Sequence, residues 1–124
     1  ACTKDNHTNL IWSLQTVSGI SWNDATSPAG GSPIAAHNGA SRCGFATDWR
    51  VPTRRELLSI VHHGAYSPAI DGAYFPATVS SGYWTNDSYA PDPAYAWFVY
   101  FNNGSTNAGY ETIAFHVRLV RSGQ

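Results

Sequence analysis

The sequence predicts an α+β domain, with one main helix at about residues 54–63 beside a small antiparallel sheet and long loops. Three observations predict it. Thr53 and Glu56 stand in capping-box spacing ahead of an apolar helical face. Residues 95–101 (YAWFVYF) and about 112–121 alternate their apolar side chains with a period of two. Pro, Gly, Ala and Ser crowd the stretches between them.

In chain order, residues 8–22 (TNLIWSLQTVSGISW) alternate loosely and read as one or two short strands. Residues 23–41 read as a long loop with a short helical turn near Ile34–His37. In the main helix, Leu57, Ile60 and Val61 share one face, with Leu58 beside it. Gly64 is the expected left-handed stop, and His62 and His63 complement the dipole in the last turn. Residues 65–93 are turn-rich, with Pro68, Pro76, Pro91 and Pro93, and hold a short strand around Tyr83–Thr85. In residues 95–101, Trp97, Val99 and Phe101 alternate with Phe98 and Tyr100, and Asn103-Gly104 signals a hairpin turn. On the final strand Phe115, Val117 and Leu119 face one way, and His116, Arg118 and Val120 the other. No repeat, linker or low-complexity tail interrupts the chain, so residues 1–124 read as one domain.

Hydrophobic residues make up 43% of the chain, enough for a real core. Charged residues make up only 12%, about half the usual share, so the surface is polar through Ser, Thr, Asn, Gly and Tyr, as is common outside the cell. A net charge of −1 exerts no general pull on nucleic acid or an anionic membrane. An anionic ligand would need a local basic cluster. No run approaches 18 apolar residues, so membrane insertion is not expected. Cys2 and Cys43 suit one structural disulfide in an oxidising compartment; the alternative is two buried free thiols.

Five ordered blocks carry a family resemblance: CTKDNHTNLIW, CGFATDWRVPTRRELLSIV, SPAIDGAYFPATVSSGYWTNDSYA, YAWFVYFNNG and FHVRLVRSGQ. Together they resemble the bacterial Lcl C-terminal-like domain family. The run Trp49-Arg50-Val51-Pro52-Thr53 before a helix, with a late Val-Arg-Leu-Val strand, also resembles formylglycine-generating enzymes. That second likeness implies a C-type-lectin-like fold: a small twisted antiparallel sheet, a flanking helix and a loop-rich upper face. The family resemblance implies a secreted or surface adhesin domain binding sulfated glycosaminoglycans, heparin-like or chondroitin sulfate. It further implies a homotrimer serving cell attachment and biofilm formation. No Gly-X-Y collagen-like stalk stands in this sequence.

Sulfated glycans call for guanidinium or ammonium groups, and Arg meets oxyanions bidentately. The candidates are Arg118, Arg54, Arg55, Lys4, Arg42 and Arg121, with His116. Arg54 and Arg55 occupy a first helical turn, where the dipole disfavours cations. Their bland reading is to keep an exposed turn soluble. Arg118 and His116 share one face of the last strand, and near a symmetry axis such a face becomes a ring of charge. The bland reading there is an ordinary exposed strand. Arg50, beside Trp49 and the cap, is assigned to the fold. Tyr66, Tyr74, Tyr83, Tyr89, Tyr95 and Tyr110 lie in or near turns; tyrosines stack on sugars, although most here are expected to pack loops onto the core. Trp84 and Trp97 read as core. The alternative function is a protein–protein interaction or assembly module using these tyrosine-rich loops.

Trp22-Asn23-Asp24 and Trp84-Thr85-Asn86-Asp87 are similar to fragments of lectin calcium sites, but calcium takes about six to eight oxygens with several carboxylates. His62, His63 and His116 lack zinc-ligand spacing. No metal or other cofactor is expected. Formylglycine-generating enzymes carry their catalytic cysteines late in the fold, whereas Cys2 and Cys43 lie early. No Gly-x-Ser-x-Gly, His-Glu-x-x-His or phosphate loop occurs. An enzyme is therefore not expected, and no catalytic residue is assigned.

Overall fold

The computed structural model describes residues 2–6, 8–27, 32–45, 47–62, 64, 68–70, 72, 75, 78, 81–92 and 94–122. The readings on His63, Tyr66, Tyr74, Pro76 and Pro93 lie outside the described residues.

Among the described residues six strands form one sheet: β1 (Cys2–Asp5), β2 (Leu10–Ile20), β3 (Gly82–Ser88), β4 (Tyr95–Tyr100), β5 (Ser105–Tyr110) and β6 (Phe115–Ser122). Their order across the sheet is β1-β2-β6-β3-β4-β5. Every neighbouring pair is antiparallel except β3 and β6, which run parallel through Tyr83 and His116. Among the described residues three short α-helices accompany it, α1 (Trp22–Thr26), α2 (Pro33–Gly39) and α3 (Arg54–Leu58), with one 3-10 turn at Arg42–Gly44.

This overturns the α+β expectation of a main helix at 54–63. Strands and bridges take 44% of the described residues against 19% helical, so the architecture is mostly β with a mixed sheet. The predicted start of α3 is right in detail. The Thr53 hydroxyl accepts the Glu56 N–H at 3.1 Å and the Glu56 carboxylate accepts the Thr53 N–H at 2.9 Å. The predicted end is wrong. After Leu58 the bonds tighten to i−3, with Ile60 donating to Leu57 and Val61 to Leu58. Val61 then bridges to Ile70 and His62 donates to the Ala69 carbonyl at 2.8 Å. Sheet-type pairing thus captures the residues that the helical period would have continued, and the helix ends well before Gly64.

The stretch read as a loop at 23–41 carries α1 and α2. Ser21 and Ser32 cap them, each accepting the N–H three residues on, and Pro33 opens α2 where its missing N–H costs nothing. The hairpin at Asn103-Gly104 is present, with Gly104 at φ 82° and joining β4 to β5. Strand β5 was not anticipated, because STNAGY shows no apolar alternation.

The sheet has a core on each side, as the period of two requires. Leu10, Trp12, Tyr83, Val99, Phe101 and Val120 point to one side, where Leu57 and Ile60 cover them. Ile11, Trp84, Ala96, Val117 and Leu119 point to the other, against Ala25, Trp49 and Val51. Gly82 is required here: a Cβ would stand 2.8 Å from the Phe115 ring.

The last strand of the sequence is therefore an interior strand of the sheet. The expectation of an exposed face at His116 and Arg118 is corrected by this topology: β6 lies between β2 and β3, and both its faces are covered.

Candidate functional site

The seven basic residues divide into scaffold and surface. Arg118 is only 2% exposed. The register of β2 on β6 slips between Trp12 and Thr16, and at this bulge Arg118 Nη1 donates to the Ser13 carbonyl at 2.7 Å. Its Nη2 donates to the Thr78 hydroxyl at 3.0 Å, which in turn donates to the Phe75 carbonyl at 2.9 Å. The guanidinium also stands 5.2 Å from the Phe75 ring centroid. Burial pushes its pKa down, partly countered by Tyr83. Arg118 thus ties a bulge to a distant segment and presents no free edge to a surface ligand.

Arg121 is 5% exposed, lies 4.0 Å from the Phe45 ring centroid and donates to the Thr47 carbonyl at 2.7 Å. His116 stacks on Tyr83 with centroids 5.3 Å apart, and burial lowers its pKa. Its Nδ1 is buried without a hydrogen-bond partner among the described residues. Arg50 holds Glu56 through a two-pronged ion pair at 2.6 and 2.7 Å, as its assignment to the fold anticipates. The pair raises the Arg50 pKa. Burial works against the charged form of Glu56, but the bonds from Arg50 and Thr53 outweigh it and hold its pKa down.

Four cations remain towards solvent. Lys4, on β1, and Arg55, on α3, are exposed; Arg42 and Arg54 are half-buried. A disulfide joins Cys2 to Cys43, as one of the two cysteine readings has it. It brings the strand carrying Lys4 beside the turn carrying Arg42. The Arg42 Nε is buried with no hydrogen-bond partner among the described residues. On the other side of the sheet, the Arg54 guanidinium lies 4.3 Å over the Trp97 ring. The Asp87 carboxylate accepts the Arg54 backbone N–H at 2.7 Å, fixing α3 to β3. Asp87 is thereby spent as a helix anchor. Among the described residues no group of three or more His, Cys, Asp or Glu side chains could hold a metal ion.

Beside Arg54 runs a row of rings. Trp97 lies 5.2 Å from Tyr89, Tyr89 lies 6.1 Å from Tyr95, and Tyr95 lies 4.4 Å from Tyr110. Tyr110 is 55% exposed. The Tyr95 pKa is raised, first by its hydrogen bond with Tyr110 and least by the charge of Asp92. Trp97 is a correction: it was read as core, yet it is half-buried and lies outside both clusters. It shares a side of β4 with buried Val99, but it stands nearer the strand's start, where Arg54 lies over it and Tyr89 packs against it. Trp84 and Tyr83 are fully interior.

A family model described as the Lcl C-terminal domain matches residues 1–121. The chain belongs to the Lcl C-terminal domain family. No curated protein matches it. Within this Lcl C-terminal domain, no helix among the described residues is long and apolar enough to cross a membrane.

The sequence candidates are therefore not gathered at one place. The structure separates Lys4 and Arg42 from Arg54 and Arg55, and encloses Arg118 and Arg121. What sequence reasoning missed is Trp97 as a surface ring. Its only local signal was position, two residues from Tyr95 on the same side of a strand.

Proposed function

We propose that this Lcl C-terminal domain is an adhesion module of a secreted or cell-surface protein, that it binds sulfated glycosaminoglycans and that it performs no catalysis. It would act as a homotrimer in attachment and biofilm formation. The observation that carries the reading is the distribution of charge. Among the described residues the one ion pair is Arg50–Glu56, so Lys4, Arg42, Arg54 and Arg55 keep their positive charge for a ligand. In a chain with only 12% charged residues, four cations without acidic partners are a considerable anion-binding capacity. Family membership supports the choice of a glycan over another polyanion, and the disulfide supports an oxidising location.

The test is retention on immobilised heparin, with mass read by light scattering in the same run. The domain is expected to bind at low salt and to elute at moderate salt, because screening weakens exposed charge pairs. The expected mass is three times that of the chain. Lys4→Gln/Arg42→Gln and Arg54→Gln/Arg55→Gln should each elute earlier. Passage without retention at low salt overturns the glycosaminoglycan reading, and a monomer mass overturns the trimer.

A further inference from the structure

The row formed by Arg54, Trp97, Tyr89, Tyr95 and Tyr110 is continuous over five side chains, with successive separations of 4.3, 5.2, 6.1 and 4.4 Å. Tyr95 and Tyr110 are direct cross-strand partners, so their rings stand on one face. Trp97 follows Tyr95 by two positions on β4 and shares that face. None of these aromatic residues belongs to either hydrophobic cluster. A half-exposed aromatic row has given up the stabilisation that burial of such large rings supplies. Tyr110 is 55% exposed and Tyr89 and Tyr95 are half-buried beside it, so the row offers apolar ring surface and phenolic hydroxyls, which suit the C–H face and the hydroxyl rim of a pyranose.

The charges at the two ends differ. At one end Arg54 lies flat on Trp97, and no described residue accepts a hydrogen bond from its guanidinium. That fork can meet a carboxylate or sulfate bidentately while the indole holds it in place. Arg55 is exposed beside it. At the other end Asp92 stands near Tyr95 and is exposed. An acidic group is favoured at the Arg54 end and disfavoured at the Tyr95 end, where an uncharged sugar offering hydroxyl donors fits better. The charge pattern therefore selects a short chain in which charged and uncharged sugars alternate.

We propose that this row is a glycan subsite, with an acidic sugar held by Arg54 over Trp97 and an uncharged sugar packed on Tyr110 beside Tyr95. The proposal rests on the glycosaminoglycan reading above and adds to it a stacking site on the side of the sheet away from Lys4. It also predicts that part of the affinity survives salt, because stacking is not screened.

The experiment is calorimetric titration of the intact domain with size-fractionated unsulfated chondroitin tetrasaccharides, whose hexosamine is uncharged, and heparin tetrasaccharides, charged on every sugar, at low and high salt. The variants are Tyr110→Ala, Tyr95→Ala/Tyr110→Ala, Arg54→Gln and Lys4→Gln/Arg42→Gln, each checked for an unchanged Tm. Tyr110 is mostly exposed, so its single variant keeps the test valid if the double variant is destabilised. Each lost ring should weaken binding by about threefold to tenfold. The Arg54 variant should weaken it at low salt and much less at high salt. Unaltered affinity in the Tyr and Arg54 variants, with loss in Lys4→Gln/Arg42→Gln, overturns the subsite and leaves the glycosaminoglycan reading standing. No binding of either tetrasaccharide or of the parent polymers by the unsubstituted domain overturns that reading itself.

Discussion

Arg118 gives the sharpest separation of scaffold from ligand contact. Replacing it with Ala strips the Ser13 carbonyl of a buried donor, at about 1–3 kcal/mol. It removes the cation from the Phe75 ring, worth about 1–2 kcal/mol in a desolvated setting. It also exposes or empties the space of two methylenes, Cγ and Cδ, at about 0.8 kcal/mol each. Against these stands the relief of no longer burying a cation, whose cost the lowered pKa signals. The net expectation is a loss of about 3 kcal/mol. With a urea m-value of about 2 kcal/mol/M, the midpoint should fall by about 1.5 M. Arg118→Met keeps the apolar stem but loses the donors and the cation, and it gains the same relief from burying a charge, so it should fall by about half as much and bind heparin like the parent. Unfolding of Arg118→Ala within about 0.5 kcal/mol of the parent, together with lost heparin retention, would refute the scaffold role and restore Arg118 as a ligand contact.

Three further outcomes are expected. Reducing Cys2–Cys43, whose partners are 41 residues apart, should cost about 4 kcal/mol by loop-closure entropy, read as a lower Tm in dithiothreitol. A Tm unchanged by reduction would show that β1 is held by its pairing with β2 alone. His37 is buried, with Nε2 2.9 Å from the Ser13 hydroxyl and Nδ1 3.1 Å from the Pro33 carbonyl. Burial, and then the charge of Arg42, lower its pKa. The folded state therefore binds its proton more weakly than the unfolded state. The stabilisation is full above the unfolded value of about 6.5 and is lost as pH falls towards the folded one. Tm should drop between about pH 7 and 5 in the parent, and drop less in His37→Gln. Glu56→Gln removes the Arg50 fork and weakens the cap; because the pair is half-exposed, about 1–2 kcal/mol is expected by urea unfolding, and no change refutes the capping role.

What was legible in the sequence was local or countable. The capping box is four residues long, and its two bonds form as spacing demands. The hairpin at Gly104 is a single turn, and the cysteines numbered only two. What was illegible depended on which strands meet. Nothing within residues 112–121 says that β6 inserts between β2 and β3, and that insertion alone turns Arg118 and His116 from a surface face into an interior one. The acceptors of Arg118, Ser13 and Thr78, lie 105 and 40 residues away. The helix ran too long because Leu57, Ile60 and Val61 satisfy a helical period, while Ile70, which captures Val61, is a non-local partner. The capped starts of α1 and α2 were in principle readable, since Ser32-Pro33 is a cap followed by a first-turn proline. Their apolar faces were too short to draw attention.

The topology also decides how a glycan could use the four surface cations. Lys4, Ile11 and Arg121 are in register across β1, β2 and β6, and Ile11 packs with the Val117–Leu119 side of the sheet. Arg54 lies over Trp97, which shares the side of Val99. The two basic groups are thus on opposite faces. They are also separated along the sheet, since four strand spacings of about 4.8 Å from β1 to β4 make about 19 Å. A tetrasaccharide cannot span both, whereas a polymer can pass over an edge or be shared between molecules. The expectation is that Lys4→Gln/Arg42→Gln and Arg54→Gln affect polymer binding together by more than either alone, but that only Arg54→Gln affects a tetrasaccharide seated on the ring row. Equal loss of tetrasaccharide affinity in both variants would require the two groups to contact one short chain, and this sheet order forbids that within a single molecule.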